Sequence, residues 1–259
     1  MREAGWLEVA EAAARGAGDH ALSRRGGVKA VAGRTAHDIK LVLDRECQDR
    51  AEGVIREAFP EAVFLGEEGG VGTTAKDEPE WIIDPLDGTV NYFRGVPWWC
   101  SAVAVRVNGR MEAGAIYAPE LGRMYGAERG KGATCNGVRI EVSQVDALKD
   151  AFLMTGMSKS GEDVNRGARM VERFKERVLK IRLMGAAALD LCMVADGSAD
   201  IFCETGIYIW DVGAGMLLIE EAGGRAEILK AFPDGRLTCF AASPGVYEVA
   251  RALAEGESK

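Results

Sequence analysis

The chain has 259 residues, 47% of them hydrophobic and 28% charged, with a formal net charge of -8. That length and balance suit one large globular domain or two closely packed halves with a substantial core. The acidic excess excludes a nucleic-acid backbone or an anionic membrane as the main partner, whereas a bound metal can reverse the sign locally for a small phosphate ester.

Residues 2–24 and 44–58 carry helical periodicity, and Pro60 stops the second helix. No stretch approaches the ~20 apolar residues of a membrane span, and "MREAGWLEVAEAAARGAG" lacks a signal-peptide pattern, so a cytoplasmic location is expected. "AVFLGEEGG" predicts a short strand ending in the pair Glu67-Glu68, and "GGVGTTAKDEPE" a loop rich in Gly, Thr and charge. An apolar strand at 81–84 ends on Asp84. Strands at 99–107, 111–118 and 122–128, punctuated by Gly and Asn, predict an antiparallel or mixed sheet.

After about residue 150 strands and helices alternate: strand 151–155, helix 162–178, strand 180–184, helix 187–196 and strand 199–203. Helix 210–222 follows, closed by Gly223-Gly224, then strands near 225–229 and 238–242 and a helix at 245–254. The chain reads as a mixed α/β protein in two halves, 1–150 and 151–259, with a cleft between them as the natural site.

Six cysteines (47, 100, 135, 192, 203, 239) form no CxxC pair and have no nearby His, which suggests neither zinc nor a disulfide framework. The two histidines, His20 and His37, stand near no plausible nucleophile. Carboxylates gather instead at element ends: Asp44, Glu67-Glu68, Asp84/Asp87 and Asp211. In "WIIDPLDGTVNYF", Pro85 biases Asp84 toward extended backbone, and a turn brings Asp84 and Asp87 to one side. Two carboxylates so close need a shared proton or a cation. Gly88 allows a tight turn, and Thr89 begins a helix whose free amides suit a phosphate. Oxygen ligands without His or Cys favour Mg²⁺, or Mn²⁺, over zinc, and two such ions can bridge a phosphate. The plain alternative, that Asp84 and Asp87 merely cap a helix, loses ground beside "GEE" and "WD".

Three decoys fail on physical grounds. "CSAVAVR", Cys100 to Arg106, has thiol-phosphatase spacing, but its small apolar residues read as a strand and Cys100 as core. Asp84 resembles an aspartyl nucleophile of the D-x-D type, yet the spacing is one residue longer with Pro inserted. "GKGATCNG" lacks P-loop spacing and sits between strands.

"GEE" at 66–68, "WIIDPLDGTVNY" at 81–92 and "WDVGAGMLLIEEAGG" at 210–224 resemble the inositol monophosphatase family of Mg²⁺-dependent, lithium-sensitive phosphatases, from the N-terminal helices to about residue 243. The resemblance implies a layered α/β/α/β/α sandwich, a homodimer, and two or three metal ions. It implies Glu67, Asp84, Asp87 and Asp211 as side-chain metal ligands and Leu86 through its carbonyl. Thr89 and Asp44, with Glu67, would orient and activate the attacking water, and the amides of Gly88 and Thr89 would hold the phosphate. Asp87, Asp211, Glu204, Gly185 and Ala187 would line the substrate pocket, with Ser158 nearby.

Two departures stand out: Leu41 in "DIKLVLD" replaces the frequent Thr of D-x-V-T-x-x-D, and Ala186 replaces a common Ser or Thr. Neither removes a metal ligand. "VNYF" after D-G-T is similar to the inositol and sugar phosphatase branch. The expectation is a hydrolase, a phosphomonoesterase of inositol monophosphate or a related polyol or sugar phosphate. The alternatives are a fructose-1,6-bisphosphatase or dual enzyme, and, in another class, a regulatory binding protein that kept the fold.

Overall fold

The computed structural model describes residues 5–27, 30–34, 39–69, 78–157 and 161–256. His37 and Ser158 lie outside them.

In chain order the elements are α1 (Trp6–Ser23), β1 (Val31–Arg34), β2 (Ile39–Leu41), α2 (Val42–Ala58), β3 (Val63–Gly66), β4 (Glu80–Asp87) and α3 (Thr89–Arg94). Then come β5 (Cys100–Val107), β6 (Arg110–Ala118), β7 (Arg123–Glu128), β8 (Gly132–Cys135), β9 (Val138–Arg139) and β10 (Phe152–Met154). The chain continues with α4 (Gly161–Phe174), β11 (Lys180–Arg182), α5 (Ala187–Ala195), β12 (Ile201–Ile207), α6 (Ile209–Glu221), β13 (Arg225–Ala231), β14 (Leu237–Ala242) and α7 (Tyr247–Glu255).

A seven-stranded sheet runs β3-β4-β5-β6-β7-β8-β9, and a five-stranded sheet runs β11-β10-β12-β14-β13. Both are mixed: β3 and β4 are parallel, as are β10 and its neighbours β11 and β12, while the other pairs are antiparallel. Three apolar clusters fill the spaces between layers. One joins α1 and α2 to the outer face of the large sheet, through Ala13, Ala17, Cys47, Ile55, Trp81 and Val103. The central one places α5 and α6 between the two sheets, through Leu191, Val194, Leu217, Ile82, Ala104 and Phe202. The third joins α4 and α7 to the far face of the small sheet, through Met170, Phe174, Phe240 and Ala250. The layers are therefore α/β/α/β/α, as expected.

Sequence pattern accounts for the placement. "AALDLCMVA" and "IWDVGAGMLLIEE" are apolar almost all round, which suits helices covered on both sides. α2 is amphipathic and turns Cys47, Ala51 and Ile55 inward.

The structure differs from expectation at several edges. β1, β2, β8 and β9 are too short for periodicity to reveal, and β8 lies inside the stretch read as a connector. α4 ends at Phe174, and β11 at Arg182. β4 does not stop at Asp84 but runs on to Asp87, and this decides the geometry of the site.

Candidate active site

Residues three apart on a regular strand face opposite ways. In β4, Asp84 pairs with Ala102 while Asp87 pairs with Cys100, so Pro85 and Leu86 together lie opposite Ser101. That single extra residue is a bulge, held by the Ser101 hydroxyl donating to the Pro85 carbonyl at 2.7 Å. The packing follows the shift: Ile82 belongs to the central core, whereas Leu86, an even number of residues on, joins the outer core with Trp81 and Ile83. Asp84 and Asp87 are thereby brought to the same face.

Gly88 follows at φ 84°, ψ 35°. A Cβ there would stand 2.9 Å from the Trp98 carbonyl oxygen, so both the left-handed backbone and the close approach demand glycine. α3 then starts at Thr89, as expected, and its hydroxyl donates to the Leu86 carbonyl at 2.9 Å. Asp87 Oδ2 accepts the Ala188 amide from the first turn of α5 at 2.8 Å, with the buried Cys100 thiol 3.8 Å away. Cys100 lies on a strand with its thiol pushed up by burial first and by Asp87 next, so it is no nucleophile in waiting.

Glu67 stands in the turn after β3. Parallel pairing sets Gly66 beside Ile83, and the Glu67 amide donates to the Ile83 carbonyl at 3.3 Å, one residue before Asp84. Beneath this turn lies Gln48, fully buried. Its Oε1 accepts the Glu68 amide at 3.0 Å and its Nε2 donates to the Gly69 carbonyl at 2.8 Å.

Asp44 and Asp211 arrive by one local device. Each is the third residue of its helix, and each Oδ2 accepts the amide of the residue that precedes the helix, Leu41 or Tyr208, at 2.6 Å. Leu41 and Tyr208 make no side-chain cap in return, so each is half of a capping box. The helix dipole favours a carboxylate there.

The charges converge. Asp84 is held well above the usual carboxylate range by burial first, then by Glu67, Asp87 and Asp211. Asp44 is pushed up to about 7, again mainly by burial, with Glu67 and Glu68 adding to it and the Leu41 amide and Lys40 opposing it. Asp44 Oδ1 is buried without a hydrogen-bond partner, while the Thr89 hydroxyl donates to the Leu86 carbonyl.

The pocket side is built by α5 and β12. Gly185 adopts φ 81°, and Asn91 of α3 donates to the carbonyls of Trp98 and Met184 at 2.8 Å, tying the Gly185 loop to the start of α3. Ala187 opens α5, and Glu204 is buried on β12, where a Cβ on Gly156 would lie 2.2 Å from its Oε1. Sequence reasoning missed Asp190, buried on α5. Its Oδ1 accepts the Trp98 indole N–H at 3.2 Å, and its Oδ2 has no partner. Burial, then Glu204 and Asp87, raise its carboxyl well above the ordinary range. Its signal was an acid in an otherwise apolar helix.

A hard divalent cation suits this donor set. The acidic side chains that act on Asp84, those of Glu67, Asp87 and Asp211, all offer oxygen, and a buried Asp44 oxygen lacks a donor. Among the described residues no three His, Cys, Asp or Glu side chains close into a preformed shell. The carboxylates face one another at Coulombic range, as like charges do.

A family model described as inositol monophosphatase family matches residues 3–259. Inositol monophosphatase 1 from Homo sapiens is 37% identical over 193 residues, covering 72% of this chain and 70% of that protein. The fructose-1,6-bisphosphatase/inositol-1-monophosphatase of Thermotoga maritima is 36% identical over 187 residues, covering 72% and 70%. The crystal structure of extragenic suppressor protein suhB from Bartonella henselae matches with a TM-score of 0.87 and 31% identity over 96% of this chain and 98% of that one.

Proposed function

As the chain belongs to the inositol monophosphatase family, whose members hydrolyse phosphate monoesters, we propose that it is a Mg²⁺-dependent phosphatase of inositol monophosphate or a related polyol or sugar phosphate. The observation that carries this reading is the β4 bulge, which sets Asp84 and Asp87 on one face with Glu67 and Asp211 as neighbours.

In this reading residues 1–150 carry most of the ligands and 151–259 carry Asp211 and the hydroxyl contacts. Glu67, Asp84, Asp87, Asp211 and the Leu86 carbonyl hold two or three Mg²⁺ ions, or Mn²⁺. Such ions supply Lewis-acid charge to the phosphoryl oxygens and lower the pKa of a water. The Gly88 and Thr89 amides cradle the phosphate, presented by the left-handed turn at Gly88. Asp44 takes the proton of the attacking water, because its Oδ1 is buried and unpartnered. Thr89 orients that water once its hydroxyl turns from the Leu86 carbonyl, and Glu67 assists from the neighbouring turn. Glu204 accepts from a substrate hydroxyl, while the backbone at Gly185 and Ala187 shapes the same pocket.

The Thermotoga maritima relative favours a second reading, a fructose-1,6-bisphosphatase or an enzyme with both activities. No described helix is long and apolar enough to cross a membrane, and the proposal includes a cytoplasmic homodimer.

A panel of phosphate esters with released phosphate as readout, run with Mg²⁺, with chelator and with lithium, tests the proposal. Inositol monophosphate is expected to be cleaved only with Mg²⁺, and lithium to inhibit. Preference for fructose 1,6-bisphosphate would select the second reading. Full activity in chelator would overturn the metal assignment, and no release from any ester would favour a binding protein.

A further inference from the structure

Lys40 occupies an unusual place. On β2 it stands between Ile39 and Leu41, which both turn into the core, so its side chain leaves on the opposite face toward the turn after β3. There its Nζ lies 2.7 Å from Glu68 Oε1 and 3.9 Å from Glu67 Oε1. Glu68 is itself fixed, because its amide donates to the buried Gln48, which also holds Gly69. A rigid turn thus tethers an ammonium group beside the carboxylate assigned above to metal binding. Lys40 also opposes the negative field at Asp44, which Glu67 and Glu68 strengthen.

We infer that Lys40 is a built-in cation that competes with Mg²⁺ for Glu67, held in reach by its ion pair with Glu68. The inference rests on the metal reading proposed above and adds to it a setting of affinity. Before the metal arrives, Lys40 offsets part of the repulsion among the carboxylates. When the metal takes Glu67, the ammonium withdraws to Glu68, where a shorter contact already exists. The side chain is 42% exposed, which leaves it room to move.

Titration calorimetry of Mg²⁺ into the metal-stripped full chain tests this without reference to turnover. Lys40→Met is expected to bind Mg²⁺ about three- to fivefold more tightly than wild type, the size of a partly exposed ion pair. Lys40→Arg keeps the charge and is expected to stay close to wild type. In a Glu68→Gln background the tether is gone, and the gain from Lys40→Met should nearly vanish, because the two residues act together. Equal or weaker binding by Lys40→Met, or a gain undiminished in the Glu68→Gln background, overturns the inference while the metal site stands. No Mg²⁺ binding by any of these proteins overturns the metal reading itself, and this inference with it.

Discussion

The first turns of α2 and α6 carry the same device in different surroundings. Asp44 and Asp211 each sit third in the helix and take the preceding amide at 2.6 Å. α2, however, lies outside the large sheet and buries Asp44 to 3% exposure with one oxygen unpartnered, whereas α6 lies between the two sheets with Asp211 half-buried. A local cap therefore fixes where a carboxylate points, but its environment decides its task. Burial suits Asp44 to holding a proton near neutrality, and the company of Asp84 suits Asp211 to holding a cation.

The largest expected effect comes from treating the two as equals. Asp211→Asn and Asp87→Asn should abolish both turnover and Mg²⁺ binding by calorimetry. Asp44→Asn should instead lower kcat by about 10²–10⁴-fold, the usual worth of acid–base help, with Mg²⁺ still bound. If Asp44→Asn lost Mg²⁺ binding as Asp211→Asn does, the division of labour would collapse.

Thr89 sharpens the same contrast. Thr89→Ala should match Asp44→Asn in kcat, Thr89→Ser should retain much of the activity, and the double variant should be little worse than either single one. A Thr89→Ala enzyme that melts earlier by about 1 kcal/mol of stability yet turns over normally would show that Thr89 serves only its helix.

A smaller effect concerns pH. Asp44 has its folded pKa raised from 3.8 to about 7, so folding favours its neutral form. Its contribution to stability is full below the lower value and is lost as pH rises through the upper one. Without metal, wild type should lose melting temperature relative to Asp44→Asn over that window. Parallel curves would place Asp44 in ordinary surroundings. The least effect is expected from Cys100→Ser, whose turnover should stay close to wild type, and a dead variant would return the thiol to the chemistry.

The main helices and the carboxylates of β4, α2 and α6 were legible because long periodic segments and D-P-x-D-G-T with W-D have strong signatures, whereas the layer order came only with the family resemblance those motifs carry. The bulge was not, since Pro85 announces a bend without saying whether the strand stops or continues past it. Gln48, Asn91 and Asp190 escaped notice for another reason. Each acts through partners distant in sequence, such as Glu68, Met184 and Trp98, so no short motif contains both ends of the bond.

The extra residue in β4 can be stated as a matter of parity. A strand sorts side chains by odd and even count, and the site depends on the count being broken once between Asp84 and Asp87. Deleting Pro85 would leave both aspartates in the chain, restore the regular alternation with Cys100, and place the two carboxylates an even number of residues apart. They would share a face still and Asp87 would stay opposite Cys100, but the bend at Pro85, with its carbonyl bond to the Ser101 hydroxyl, would be lost. Inserting one residue beside Pro85 would instead set two extra residues against β5 between these pairs. With three residues from Asp84 to Asp87, the bulge is what keeps both carboxylates on one face and Gly88 in register with β5.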